Sequence, residues 1–249
     1  MIASEVHGST PFSPEQMAKL ESIMYPKQVE KGCRLFWEGD KAGQLYYIHS
    51  GRIKLKKTTA LGRDLILSIA QKGDWIGEFC CGPDSFCTYG AEVLEDAHVG
   101  IVQQSDLEIL FQQHGDLSIC FMRWQGINQM KLQTKLRDLL LYGKPGALAS
   151  TLIRMCNTFG IACKDGILLD VQVNHTELAD MIGSTRENVN RLLNSWKKEG
   201  IISVTDGHIV VHDLDALRSI CQCPLYPTCP SEIRSEERRV GKECRSRWS

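Results

Sequence analysis

Residues 173–193 read VNHTELADMIGSTRENVNRLL. Leu178, Ala179 and Ile182 before Gly183, and Val189, Leu192 and Leu193 after it, recur at helical spacing as one inner face. The stretch therefore reads as two helices, roughly 175–182 and 186–198, joined by a short turn at Gly183. Ser184 with Glu187 fits a capping box that opens the second helix. Working outward, residues 147–159 read as a helix and 167–173 as a strand, while 201–211 read as a hairpin turned at Asp206-Gly207. Helix, strand, two helices joined by a tight turn, and a hairpin describe a winged helix-turn-helix, a motif that addresses double-stranded DNA. Ser184 and Thr185 start the second helix, and Arg186, Glu187, Asn190 and Arg191 project from its first turns away from the core. Arginine suits guanine, glutamate accepts from cytosine and asparagine pairs with adenine. The same residues also suit a solvated helix face with i,i+4 pairs. Lys197, Lys198 and His208 are placed either to touch phosphates or simply to be exposed.

The N-terminal half has a different period. From about 28 to 102, strand-like runs at 45–48, 53–55 and 65–69 are punctuated by Gly51, Gly62, Gly73-Asp74 and Gly77, which predicts a β-sandwich or barrel. Residues 106–142 are rich in Leu, Met, Gln and Lys, without proline. Leu117, Cys120, Phe121, Trp124, Leu132, Leu136 and Leu139 fall on one side of a long helix, either packed on the barrel or forming a dimer seam. Gly143-Lys144-Pro145-Gly146 ends it. The division is 1–112 for the β domain, 113–142 for the helix, 143–215 for the DNA-binding unit and 216–233 for a cysteine-rich segment, with 234–249 set apart. The class is α+β.

The chain has 249 residues, 43% hydrophobic and 24% charged. No run approaches the 18 apolar residues of a membrane span, and the first ten residues do not resemble an export signal. These features predict a cytoplasmic protein whose eleven cysteines stay reduced. Residues 234–249, RSEERRVGKECRSRWS, match codon by codon the translation of a common sequencing adapter and are read as an artefact. Without them the chain has 23 basic and 27 acidic residues, a formal charge of −4. DNA binding then needs a local basic face.

Cys221, Cys223 and Cys229 follow the last helix in a Pro-rich segment where no core is needed. Clustered thiols in such a place suggest ligands, for an iron–sulfur cluster or for zinc. Cys80, Cys81 and Cys87 form a second group, read as small buried hydrophobes rather than ligands. Cys33, Cys120, Cys156 and Cys163 sit in apolar patterns and read as core. The seven histidines show no metal spacing, and no Ser/His/Asp set, phosphate loop or carboxylate pair occurs, so an enzyme is not expected.

The order Asp40, Leu45-Tyr46-Tyr47-Ile48, Gly51, Ile53-Lys54-Leu55, Gly62, Gly73-Asp74 and Ile76-Gly77-Glu78, then a long helix and the winged unit, resembles the CRP/FNR superfamily of bacterial regulators. The similarity covers roughly residues 15–230. The runs 136–154 (LRDLLLYGKPGALASTLIR) and 186–191 (RENVNR) look like the oxygen-responsive Fnr proteins of bacilli. This resemblance implies a cyclic-nucleotide-binding-like β-roll (jelly roll), a dimerisation helix and a homodimeric regulator that recruits RNA polymerase. It also implies a palindromic operator with TGTGA-type half-sites, read by Arg186, Glu187 and Arg191. The bacillar group carries a 4Fe–4S cluster on three C-terminal cysteines and an aspartate of the long helix. Cys221, Cys223, Cys229 and Asp138 match these, and Asp138 also falls beside the apolar stripe. The spacing C-x-C-x5-C departs from the group's C-x2-C and shorter gap. Tyr89 and Gly90 stand where cyclic-nucleotide members have Arg-Ser, so cyclic AMP is not expected. The alternative is a CRP-like regulator of a small-molecule effector, with structural zinc or free thiols at the C-terminal cysteines.

Deleting residues 234–249 is expected to leave folding, iron content and sequence preference unchanged, and to lower non-specific DNA affinity slightly at low salt. A truncated chain that no longer folds would make the tail native structure.

Overall fold

The computed structural model describes residues 12–60, 62–79, 82, 84–205 and 207–223. Cys80, Cys81, Cys229 and the segment 234–249 lie outside them. The chain forms two compact units, one ending at Gly126 and the other beginning at Ile127.

In the first unit, Ser13 caps α1 (Pro14–Glu21) through a capping box with Gln16. The strands β1 (Tyr25–Val29), β2 (Arg34–Phe36), β3 (Gln44–Thr58), β4 (Asp64–Gln71), β5 (Trp75–Gly77) and β6 (Gly90–Gln103) follow, and then α2 (Gln104–Gln113). They make one six-stranded antiparallel sheet in the order β1-β6-β3-β4, with β2 on β6 and β5 on β3. The two longest strands, β3 and β6, pair from Gln44↔Gln103 to Lys56↔Gly90 and form its spine. Leu45, Tyr46, Ile48, Ile53 and Leu55 of β3 are buried. Ile48, Ile53, Val93 and Val99 meet inside the roll, while Leu20, Leu45, Trp75, Leu107, Leu117 and Phe121 form a second core that ties the helices to the sheet.

The sequence reads residues 45–48 and 53–55 as separate strands turned at Gly51. The structure instead runs one 15-residue strand through that glycine. Register shifts between Ile48 and Ser50, Ser50 and Arg52, and Arg52 and Ile53 absorb the irregularity as bulges. Gly51 has φ +90°, and a Cβ there would stand 2.6 Å from the Asp96 carbonyl oxygen. The glycine serves a close crossing of β3 over β6, not a turn.

The helix α3 (Gly115–Phe159) runs through the division between the units and is broken at Gly143, whose φ of 59° and ψ of −158° are not helical. Pro145 sits just after the break, where its missing N–H costs nothing. The stripe expected on this helix divides in two. Leu117 and Phe121 are buried and Cys120 and Trp124 half-buried, but Leu132 and Leu136 are exposed. The exposed apolar side chains are Ile119, Met122, Met130, Leu132, Leu136, Leu140 and Leu141, with Leu140 70% exposed. Ile119, Met122, Gly126, Gln129, Gln133, Leu136 and Leu140 recur at alternating three- and four-residue steps, a seam of heptad period.

After the break, residues 144–159 bury Ala147, Leu148, Ala149, Leu152, Ile153 and Cys156. The strands β7 (Gly160–Cys163) and β8 (Gly166–Leu169) precede α4 (His175–Met181) and α5 (Arg186–Lys198). The wing strands β9 (Ile202–Thr205) and β10 (His208–Val211) and a last helix α6 (Leu214–Ile220) complete the unit. The four strands form a sheet in the order β7-β8-β10-β9. The expected strand at 167–173 is shorter and gains β7 as a partner. Its sequence signal, Gly160-Ile161-Ala162-Cys163, is too short to show a period.

Gly51→Ala is expected to destabilise the protein by about 2 kcal/mol or more, since it adds backbone strain to a collision with the Asp96 carbonyl. Chemical denaturation would show this as a lower midpoint at unchanged slope.

Candidate nucleic-acid interface and metal centre

Asn174 caps α4, accepting from the Glu177 N–H at 2.9 Å while the Glu177 carboxylate accepts from the Asn174 N–H at 3.2 Å. Gly183, at φ +58°, makes the turn between the two helices. Lys144 Nζ donates to the carbonyls of Gly183 at 2.7 Å and Ile182 at 3.1 Å, which fastens this turn to the residue after the Gly143 break.

The N-cap of α5 is Thr185, whose hydroxyl accepts from the Asn188 N–H at 3.3 Å. Ser184, expected in that role, has a buried hydroxyl without a hydrogen-bond partner. The sequence Ser-Thr-Arg-Glu-Asn offers two registers one residue apart, and the extended backbone of Thr185 selects the second. Glu187 is thereby released from the capping box. Its own N–H, the Thr185 hydroxyl and the Arg186 charge hold its carboxylate below the usual range, so it is an ionised, exposed acceptor on the first turn.

Arg186, Asn190 and Arg191 are exposed on the same side chain set. Arg191 Nη2 donates to Asn188 Oδ1 at 3.0 Å, and Asn194 Nδ2 donates to Asn190 Oδ1 at 3.3 Å. Glu187, Asn190, Arg191, Asn194, Ser195 and Lys198 line one open groove along the helix. Asn194 and Ser195 were not singled out by sequence, although Asn194 stands at i+4 from Asn190 and i+7 from Glu187. Along its length α5 carries Arg186, Arg191, Lys197 and Lys198 against Glu187 alone. Burial and then the charges of Lys197 and Arg186 lower the pKa of His175. The local basic face demanded by an acidic chain is thus present. Its groove offers both donors and acceptors, as base edges require.

In the roll, the residues facing Gly77-Glu78 are Thr88 and Tyr89. Glu78 accepts from the Thr88 N–H at 2.6 Å and from the Thr88 hydroxyl. The Gly77 N–H donates to the Tyr89 hydroxyl at 3.2 Å, and the Tyr89 ring packs on Phe36 at 5.6 Å between centroids. Burial raises the pKa of the Tyr89 phenol and keeps it neutral. The roll fills this corner with its own side chains.

Asp138 is 1% exposed. Its Oδ1 accepts from Arg137 Nε at 2.9 Å and Nη2 at 2.6 Å, and its Oδ2 accepts from the Ser150 hydroxyl and from Arg154 Nη1 at 3.2 Å. Arg154 also donates to Ser150 and, at 3.3 Å, to the Thr151 hydroxyl. This network joins residues on either side of Gly143, and sequence reading gave no role to Arg137, Ser150 or Arg154. Their available signal was polarity, because Ser150, Thr151 and Arg154 interrupt a helix that otherwise buries apolar residues.

Cys221 caps α6, buried, with its thiol directed at the carbonyls of Leu217 at 3.4 Å and Arg218 at 3.6 Å. Burial, then the proximity of Cys223 and Asp138, pushes its pKa up to about 11. Gln222, at φ +43°, is the one non-glycine residue with positive φ among the described residues, and it stands between the two cysteines. The Cys223 N–H closes the turn on the Arg218 carbonyl at 2.9 Å, as a Schellman cap does. Among the described residues no group of three or more His, Cys, Asp or Glu is assembled to hold a metal ion. Asp138 adds the smallest of the three effects that raise the Cys221 pKa, and its own carboxylate is held by Arg137, Ser150 and Arg154. The donor chemistry of these residues fits iron or zinc. Of the cysteines read as core, Cys156 is buried and Cys120 half-buried, but Cys33, in the turn before β2, and Cys163, at the end of the edge strand β7, are exposed. Cys87 is buried as expected.

Residues 146–220 match a Crp-like helix-turn-helix domain, and residues 26–114 a cyclic nucleotide-binding domain. An anaerobic regulatory protein of Bacillus subtilis (strain 168) is 42% identical over 216 residues, 86% of this chain and 90% of that protein. A global nitrogen regulator of Synechocystis is 30% identical over 206 residues, 80% of this chain and 91% of that protein. A CooA variant from Carboxydothermus hydrogenoformans superposes with a TM-score of 0.69 at 21% identity, covering 81% of this chain and 89% of that one. The arrangement of β-roll, long helix and winged unit is therefore the one these comparisons share, and the relatives are regulators rather than enzymes. The chain belongs to the CRP/FNR family of transcription regulators.

Proposed function

We propose that this protein is a homodimeric, oxygen- or redox-responsive transcription regulator of anaerobic gene expression. The observation that carries the reading is the 42% identity to an anaerobic regulatory protein over 86% of this chain, with Cys221 and Cys223 at the end of the last described helix. Cys221, Cys223, Cys229 and Asp138 would hold a 4Fe–4S cluster; Cys229 lies outside the described residues. When bound, such a cluster supplies a link that oxygen can destroy. The chain does the rest. Cys221 and Cys223 sit at the end of α6, and Asp138 sits one turn before the Gly143 break. Tying them together restrains the break, and through Lys144 and Gly183 the recognition helix α5.

The heptad seam of α3 is the dimer surface in this reading, because a second copy would cover Met122, Leu136 and Leu140. Two-fold symmetry then places two α5 helices about 34 Å apart, facing a palindrome with TGTGA-type half-sites. Arg186, Glu187 and Arg191 read the bases, Asn190 assists, and Ser184 and Thr185 lie at the phosphate end of the helix. RNA polymerase is the partner recruited, and the cytoplasm, where thiols stay reduced, is the compartment. Cyclic AMP is not the effector, since Glu78 is already engaged by Thr88 and Tyr89 brings no charge to a phosphate.

Anaerobically purified protein is expected to be brown, with absorbance near 400 nm. Colourless protein that binds zinc would favour a structural metal and a small-molecule effector. Cys229→Ala is expected to abolish iron binding and specific operator affinity together while leaving a folded dimer by light scattering. Operator binding as tight as wild type in air would rule out cluster gating.

Arg186→Ala is expected to cost about 1–3 kcal/mol at the palindrome and to relax discrimination at one guanine. Equal weakening on the operator and on a scrambled duplex, measured by fluorescence anisotropy, would place Arg186 on a phosphate instead.

A further inference from the structure

Asn194 stands exposed one turn beyond Asn190 on α5, in the groove that Glu187 and Arg191 also line. The helix is anchored through Val189, Leu193 and Trp196, which are buried, so its packing makes no use of Asn194. Asparagine is among the poorer helix formers, and an exposed position inside a helix is better filled by alanine, glutamate, lysine or glutamine. Two asparagines a turn apart on one exposed stripe weaken the helix and contribute nothing to its core.

The pair is nonetheless ordered. Asn194 Nδ2 donates to Asn190 Oδ1 at 3.3 Å. Among the described residues this bond leaves the Asn190 Nδ2 hydrogens and the Asn194 Oδ1 lone pairs unused, a donor beside an acceptor in the groove. The neighbouring groups are occupied elsewhere. The Ser195 hydroxyl donates to Glu199 at 2.7 Å, and Arg191 Nη2 donates to Asn188 at 3.0 Å. A donor next to an acceptor complements one base edge of the major groove. Adenine presents the N7 acceptor beside the N6 donor, whereas guanine presents two acceptors, cytosine a donor and thymine an acceptor.

Spacing says where that base would lie. An α-helix rises about 1.5 Å per residue and duplex DNA about 3.4 Å per base pair. The three residues from Arg191 to Asn194 therefore span about 4.5 Å, roughly one base pair for a helix lying along the groove.

We propose that Asn194, held by Asn190, is a specificity-determining residue that reads an A·T base pair next to the pair read by Arg191, on the side of the helix C-terminus. The proposal deepens the reading of α5 as the base-reading helix and rests on it. Asn190 Nδ2 donates to adenine N7, and Asn194 Oδ1 accepts from adenine N6. Lys198, one turn further along the same groove, meets the flanking phosphate.

The test is fluorescence anisotropy with the full chain, purified anaerobically, on a palindromic duplex with TGTGA-type half-sites. A series of duplexes replaces, one at a time, each base pair of one half-site and of its flanks. Arg191→Ala locates the pair that Arg191 reads. Wild type is expected to lose roughly 5- to 100-fold in affinity when the adjacent A·T pair is replaced. Asn194→Ala and Asn190→Ala are expected to erase the preference at that position and to keep it at every other. Thermal unfolding gives the opposite sign, because alanine is the better helix former: Asn194→Ala is expected to melt no lower than wild type.

A preference at that position that survives in Asn194→Ala would overturn the proposal. Equal weakening of Asn194→Ala on every duplex, a scrambled one included, would also overturn it by placing the residue on a phosphate. A lowered melting temperature with preference lost at all positions would overturn it too, by making Asn194 structural. Failure of the underlying reading looks different: wild type would then show no preference for the palindrome over a scrambled duplex, before any variant is compared.

Discussion

A charge closed off from water has to be paired, and Asp138 is paired across a break in its own helix. Removing one partner from a buried ion pair typically costs about 3–5 kcal/mol, far more than an exposed pair is worth. The contact therefore constrains backbone that would otherwise be free to vary. Gly143 leaves the helical region and Pro145 cannot restore it, so nothing in the local backbone sets the angle between residues 127–142 and 144–159. Arg154 and Ser150 do, by holding Asp138 from the far side. Just past the break, Lys144 holds the turn at Gly183 that leads into α5.

That helix also resolves the apparent conflict between an acidic chain and a nucleic-acid partner. Net charge describes long-range behaviour, which salt screens beyond about 10 Å, whereas contact with phosphate and base depends on the charges of one face. Four cations against one carboxylate along α5 make that face basic whatever the remainder carries. The carboxylate is itself informative. Glu187 is exposed and ionised at the helix start, where the backbone N–H groups favour it, so retaining it there imposes no folding cost.

Elements with strong periodicity were legible in the sequence. The two helices 186–198 and 175–182 and the hairpin around Asp206-Gly207 correspond to α5, α4 and the β9–β10 pair, because capping residues, a glycine turn and apolar spacing all agree. Where the reading missed, two solutions of similar local energy competed and packing chose. Ser184 and Thr185 can each cap a helix, and the extended backbone of Thr185 together with the buried Ser184 hydroxyl decides between them. Gly51 looks like a turn because a glycine forced by a close strand crossing and one forced by a tight turn leave the same mark in the sequence. The stripe from Leu117 to Leu139 joined two faces, since the helix buries Leu117 and Phe121 in its own core while Leu132 and Leu136 are exposed, two phases of one period. The candidate metal centre was legible only as residue types. That Asp138 is saturated by Arg137, Ser150 and Arg154 depends on side chains brought together across the Gly143 break, and no local pattern encodes it.

The roll poses the complementary question of why a nucleotide-binding fold should bring so little charge to its own site. Its central strand β3 is rich in cations, yet they are paired with acids of the roll itself. Arg52 meets Glu95 at 3.2 Å, Lys54 meets Glu92 at 3.6 Å, Lys56 meets Asp64 at 2.8 Å and Lys57 meets Glu38 at 2.8 Å. Asp64 and Glu92 are held below the usual carboxylate range in this way, although burial works against it. A phosphate entering beside Gly77 would have to displace the Thr88 groups from Glu78 and the Tyr89 hydroxyl from the Gly77 N–H. Tyr89 brings no charge in exchange, and the Arg34 guanidinium beside Gly90 is already paired with Glu92 at 3.8 Å. The first unit therefore keeps the sheet and core of its fold while consuming internally the groups that would recognise an anion.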